Sequence, residues 1–290
     1  MKGYFNMERR AAFIAFPISI MVLAVLFGPF TTNTWQTGQK IAHFVGFSST
    51  LTTPYVCSPH KYTIELLSFD PLIIYINNFL KENEVDYILQ ASEADFDQSW
   101  VYDPVTLKSY IDRNYRTSTS ATIPIHDAVA DCVSQRMKSF LGNVQHIHTE
   151  SIQVVKYEVG ERFRLHMDWF DKPRNKSTEA SRPDRPYNRL GSIFAYLRDD
   201  CTGGETYFPD VRGVGPDADG SKFARTDTGM GLLVKPRRGG AVFWNNLFLN
   251  GSGDPRVVHA GLPVSAGTKI GINLFSYYYL DAPMVGGSEE

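Results

Sequence analysis

Apolar residues recur along this chain in three rhythms. Residues 11–30, AAFIAFPISIMVLAVLFGPF, are uninterrupted by charge. Over residues 78–94 the positions Phe79, Leu80, Val85, Ile88 and Leu89 step by threes and fours, which predicts a helix. Residues 127–141 repeat that step with Val129, Val133, Met137, Phe140 and Leu141, and Gly142 follows as a C-cap. Both stripes read as core. Beyond Ser151 the rhythm shortens. Residues 152–157, 192–197, 231–235, 241–244 and 270–279 are rich in β-branched and aromatic side chains. Glycines at 203–204, 239–240, 261 and 267 separate them, as between antiparallel strands. Helices first and many short strands afterwards predict an α+β fold whose strands form a sandwich or jelly roll.

A helix over residues 11–30 would span about 30 Å at ~1.5 Å per residue, the thickness of a hydrocarbon core. Lys2, Arg9 and Arg10 precede the run against one Glu8, and no cation follows until Lys40. The positive-inside rule then predicts a cytosolic tail (1–10), a single-pass type II signal anchor (11–30) and a Thr/Ser/Gly-rich stalk (31–58). A luminal domain (59–282) follows, in the endoplasmic reticulum or secretory pathway. The competing signal peptide fits less well, because the run ends in Gly28-Pro29-Phe30-Thr31 instead of small residues around a cleavage site. Asn175-Lys176-Ser177 and Asn250-Gly251-Ser252 are N-glycosylation acceptors in turn-rich stretches, consistent with translocation.

With 290 residues, 43% hydrophobic and 21% charged, the chain has enough apolar mass for one sizeable core. A net charge of −2 without a basic run gives no electrostatic footprint for nucleic acid. Three cysteines make neither a disulfide framework nor a zinc motif. Two readings stay open: one bridge, with Cys57–Cys132 the chosen pair and a free Cys201, or three buried thiols.

His166-Met167-Asp168 places an imidazole and a carboxylate two residues apart, on one face if the segment is a strand. His259 is the candidate third ligand. Two histidines and a carboxylate leave coordination positions open, as a non-haem Fe(II) oxygenase needs. Alone, H-x-D is a common accident. His146-Ile147-His148 lacks a carboxylate at matching spacing and reads as polar surface; His43, His60 and His126 lack sequence neighbours to act with. Lys269, ten residues after His259 and flanked by Gly267, Thr268, Ile270 and Ile272, would be awkward to bury unless it met an anion.

These motifs come in company. Tyr157, Gly160 and His166-x-Asp168 resemble the iron-site strand of the prolyl 4-hydroxylase family. Gly203-Gly204-Glu205-Thr206-Tyr207-Phe208-Pro209 is similar to its G-G-E-T-x-F-P segment, and residues 236–244 to its P-x-x-G-x-A-x-x-F/W strand. His259-Ala260-Gly261-Leu262-Pro263-Val264, Gly267-Thr268-Lys269, Asp70-Pro71, Asn78-Phe79-Leu80 and Arg116-Thr117-Ser118 match further elements in order, over roughly residues 60 to 280. The resemblance implies a double-stranded β-helix core with flanking N-terminal helices, Fe(II), 2-oxoglutarate, O2 and ascorbate as reductant. It implies His166, Asp168 and His259 on the metal, Lys269 and Tyr157 on the 2-oxoglutarate carboxylate, Thr206 in the same pocket, and Arg116, Phe163 and Phe275 toward substrate.

Two departures bear on that substrate. Phe275 stands where collagen-type members carry Trp, and Phe163 where the family has Tyr, so polar handles are lost from an aromatic wall. The substrate is then peptidyl proline or a small metabolite. Residues 172–188, rich in charge and proline, read as a mobile substrate loop or a glycosylated surface insertion. From another class, the chain could be a non-catalytic partner of an active oxygenase, against which the intact ligands and Lys269 count. A calcium loop at Asp217-Ala218-Asp219-Gly220 fails for want of a bidentate Glu.

Overall fold

Alternation along one strand sorts the layers of the molecule. In Lys269–Tyr279, Ile270, Ile272 and Leu274 join a core cluster with the helices, while Lys269, Asn273 and Phe275 face the opposite way into a cavity. The computed structural model describes residues 55–102, 108–143, 147–175 and 185–281. The expected tail, anchor and nearly all of the stalk lie outside these residues, as do His43, His146 and the middle of the 172–188 segment. Among the described residues no helix is long and apolar enough to cross a membrane.

Among the described residues the fold is mostly β, with two α-helices. Nine strands make the larger sheet, in which Lys269–Tyr279 lies between Tyr187–Arg198 and Ile152–Tyr157, with Ala241–Asn245 next outward beyond Tyr187–Arg198. Five strands make the smaller: Phe223–Ala224, Met230–Val234, Thr206–Arg212, His259–Gly261 and Phe163–His166. Val155, Tyr157, Phe194 and Tyr196 of the first pack against Phe208, Leu232 and Val234 of the second. Helices Glu82–Ser92 and Ala128–Phe140 cover the larger sheet's other face through Val85, Ile88, Val129, Val133 and Met137.

Both predicted helices form. Asp127 caps the second by accepting from the Val129 and Ala130 amides at 2.9 and 3.0 Å, and Gly142 follows with φ +79°. The first starts four residues later than its apolar pattern. Asn78 takes a left-handed φ of +55° and the Leu80 amide donates to Gly239 O, so Phe79 and Leu80 enter the core from a turn. The helices-before-strands order is corrected by a hairpin, Thr63–Phe69 with Leu72–Asn77, that precedes both helices and pairs with Ala241–Asn245. Its outer strand leaves Ile64, Leu66 and Phe69 exposed, so it lacks the apolar-in, polar-out signature. Of the two cysteine readings, the bridge is present. Cys57 joins Cys132 and Cys201 is free. Asn175 and Asn250 are both exposed.

Candidate metal and co-substrate site

Strand pairing brings distant residues together. His259–Gly261 runs antiparallel to Phe163–His166 with His259 directly opposite His166. Asp168 lies just past the end of that strand, a small correction to its expected place within it. Ligand atoms from His166, Asp168 and His259 all lie within 4.8 Å of one another. The Nε2 atoms of both histidines are 3.7 Å from an Asp168 oxygen.

The donor set suits a divalent metal. His166 Nδ1 meets Arg164 O at 2.8 Å and His259 Nδ1 meets Val257 O at 3.0 Å. A carbonyl only accepts, so each Nδ1 carries the proton and each Nε2 presents a lone pair to the shared centre. Burial first, and the neighbouring His259 second, hold the His166 pKa well below the ordinary histidine range, which keeps the ring in its ligating form. Phe163 stacks on His166 with centroids 3.6 Å apart, and Trp244 lies 4.5 Å from His259.

Behind this centre, Lys269 sits opposite Tyr157 on neighbouring strands. Its side chain is 2% exposed and its ammonium lies over the rings of Phe194, Tyr157 and Tyr196 at 4.9, 5.1 and 5.8 Å. Burial lowers its pKa to about 8; only Cys201 and Glu205 act in the opposite direction. An ammonium held in a dry aromatic box calls for an anion. Burial also raises the Tyr157 pKa, so its hydroxyl stays a donor. Thr206 shares a 2.9 Å hydrogen bond with the Tyr196 hydroxyl.

All nine residues expected at metal, co-substrate or substrate line one cavity of about 760 Å³. Arg116 is buried there with no carboxylate hydrogen-bonded to it among the described residues: it donates to Ser118 Oγ, Trp100 O and Gln153 Oε1 and lies 4.5 Å over Phe163. Sequence reasoning missed four participants. Arg189 pairs with Glu150 at 2.7 and 2.8 Å and covers the Phe275 ring at 3.6 Å, restoring polar groups to the wall that Phe275 had left apolar. Ser192 donates to Asp168 Oδ2 at 2.7 Å, and Asn246 donates to Ser192 at 2.9 Å. A serine inside the apolar run at 192–197 was the one available signal. His148 is not polar surface: it lies in strand Ile147–Thr149, stacked on Tyr277 with centroids 5.3 Å apart. The ends of the 172–188 segment are joined by an Arg174–Tyr187 bridge, with Arg174 at the cavity.

Comparison with known proteins agrees with the geometry. The profile of the 2OG-Fe(II) oxygenase superfamily matches residues 152–277. Prolyl 4-hydroxylase 1 of Arabidopsis thaliana is 31% identical over 208 residues, 71% of this chain and 68% of the relative. Prolyl 4-hydroxylase subunit alpha-1 of Rattus norvegicus is 30% identical over 200 residues, 69% of this chain and 33% of that subunit. The solved 2OG complex of a viral collagen prolyl hydroxylase from Paramecium Bursaria Chlorella virus-1 superposes with a TM-score of 0.50 at 20% identity, covering 71% of this chain and 96% of that one; it bears on fold alone.

Proposed function

This chain belongs to the prolyl 4-hydroxylase family of 2OG-Fe(II) oxygenases, and from that premise we propose that it hydroxylates proline within a peptide in the secretory pathway. It is an Fe(II)- and 2-oxoglutarate-dependent dioxygenase with a His166, Asp168, His259 triad. The observation that carries the reading is that triad, set in one cavity with a buried Lys269 that has no ion-pair partner among the described residues. Fe(II), 2-oxoglutarate and O2 together supply the oxidising chemistry, in which 2-oxoglutarate loses CO2 to give succinate and the substrate carbon gains a hydroxyl.

The chain's own residues bind, orient and keep dry. His166 and His259 present Nε2, and Asp168 supplies the negative charge. Lys269 pairs with the far carboxylate of 2-oxoglutarate, with Tyr157 donating a hydrogen bond beside it and Thr206 lining the same pocket. Phe163 and the rings around Lys269 exclude water, which strengthens that pairing. Arg116, Phe275, Arg189 and Glu150 form a polar and aromatic wall of the cavity, whose hydrogen-bonding groups support peptidyl proline over a small metabolite. Ascorbate serves as reductant. We read the two sheets as a double-stranded β-helix, and residues 11–30 as a type II anchor followed by a stalk. The Cys57–Cys132 bridge and the exposed acceptors Asn175 and Asn250 support an oxidising, luminal location.

The test is succinate production with Fe(II), 2-oxoglutarate and ascorbate, comparing proline-rich peptides with lipophilic small molecules. Peptide-stimulated turnover, abolished by His166→Ala and Asp168→Ala, is expected. Stimulation by the small molecules alone would replace peptide as substrate, and undiminished turnover by His166→Ala would remove the assignment altogether.

A further inference from the structure

Both oxygens of Asp168 lie near the shared metal position. Oδ1 is 3.7 Å from His166 Nε2 and Oδ2 is 3.7 Å from His259 Nε2. Either can ligate, and the two together can chelate. Among the described residues only one of these oxygens takes a hydrogen bond from the protein: Ser192 Oγ meets Oδ2 at 2.7 Å.

The direction of that contact follows from the inventory of donors. An ionised carboxylate only accepts, so the Ser192 proton points at Oδ2. Ser192 oxygen then has only lone pairs left, so Asn246 must offer Nδ2, which it does at 2.9 Å. Asp168 is 7% exposed and Ser192 and Asn246 are fully buried, so bulk water does not substitute for either donor. Asn246 is itself fixed, its amide donating to Leu190 O and its carbonyl accepting from the Asp254 amide, both at 2.8 Å. Among the described residues its Oδ1 has no hydrogen-bond partner, so there the contact to Ser192 sets the side-chain amide.

We propose that Ser192, oriented by Asn246, is a positioning residue that holds Asp168 as a one-oxygen ligand through Oδ1. A carboxylate that chelates takes one more coordination position, and those positions are what the co-substrate and O2 require. Withdrawing Oδ2 into a buried hydrogen bond keeps them free. The inference rests on the triad being the metal site.

Co(II) substituted into the purified full chain tests it, because the visible spectrum of Co(II) reports coordination number without turnover. Ser192→Ala and Asn246→Asp, which lacks the donor, are each expected to change that spectrum before 2-oxoglutarate is added. Each should raise the 2-oxoglutarate dissociation constant about tenfold or more, the usual scale for losing a partner of a metal ligand. Ser192→Thr, which keeps the hydroxyl, should restore both. A Ser192→Ala protein with the parent spectrum and the parent 2-oxoglutarate titration overturns the proposal; if that variant does not fold, the same result from Asn246→Asp does so. A parent chain that binds no Co(II) at all would instead overturn the triad, and the proposal with it.

Discussion

Lys269 carries a charge that its surroundings hardly offset. Its ordinary amine pKa is brought down to about 8 by burial, with Cys201 and Glu205 only partly opposing. A lowered pKa means that the cation is present below about pH 8 and lost as pH rises through it. The KM for 2-oxoglutarate, measured by initial rates across a pH series, is therefore expected to climb above about pH 8 while kcat changes less, since bound carboxylate holds the proton on. Lys269→Ala should start from a high KM and lack that climb. At this scale the sequence was most readable where chemistry is rare. A histidine and a carboxylate two apart, a second histidine and a lysine among apolar neighbours all reach the cavity. Asn246 and Arg189 were not readable, and Ser192 only as a polar residue inside an apolar run, because what marks them is a partner 54, 39 or 24 residues away.

Strands decide where those residues meet, and turns decide how well. Gly267, the last residue of strand Val264–Gly267 and two before Lys269, has φ +72°, and a Cβ there would lie 1.9 Å from Asp200 O. Gly267→Ala must shift backbone next to Lys269. It is expected to cost about 1–3 kcal/mol in urea unfolding and to raise the KM for 2-oxoglutarate more than it lowers kcat. The helix layer supports the same sheet from behind. Glu84, fully buried, accepts from both terminal nitrogens of Arg136 at 2.6 and 2.7 Å and from Tyr55 at 2.7 Å. Glu84→Ala leaves a buried cation unpaired and is expected to destabilise by about 3–5 kcal/mol, with unchanged activity per folded molecule below the transition. The helices and the core strands were legible because their apolar periods persist over several residues. Thr63–Phe69 was not, since its alternate residues Ile64 and Leu66 are exposed and nothing in the pattern says which face is buried.

Across the whole molecule, one bridge and two exposed acceptor asparagines fit an oxidising compartment. The bridge ties residue 57, at the end of the expected stalk, to helix Ala128–Phe140. Expressed through a eukaryotic secretory pathway, the chain is expected to gain glycans at Asn175 and Asn250, read as a mobility shift on glycosidase treatment that Asn250→Gln halves. The larger claim is that two sheets, closing on His166, Asp168, His259 and Lys269, couple loss of CO2 from 2-oxoglutarate to hydroxylation of a peptide. The most direct measurement is mass spectrometry of both products after turnover of a proline-rich peptide under isotopically heavy O2. One heavy oxygen in succinate and one in hydroxyproline, in equal amounts, are expected. Hydroxyproline formed without heavy oxygen, or formed while 2-oxoglutarate is not consumed, would contradict the claim.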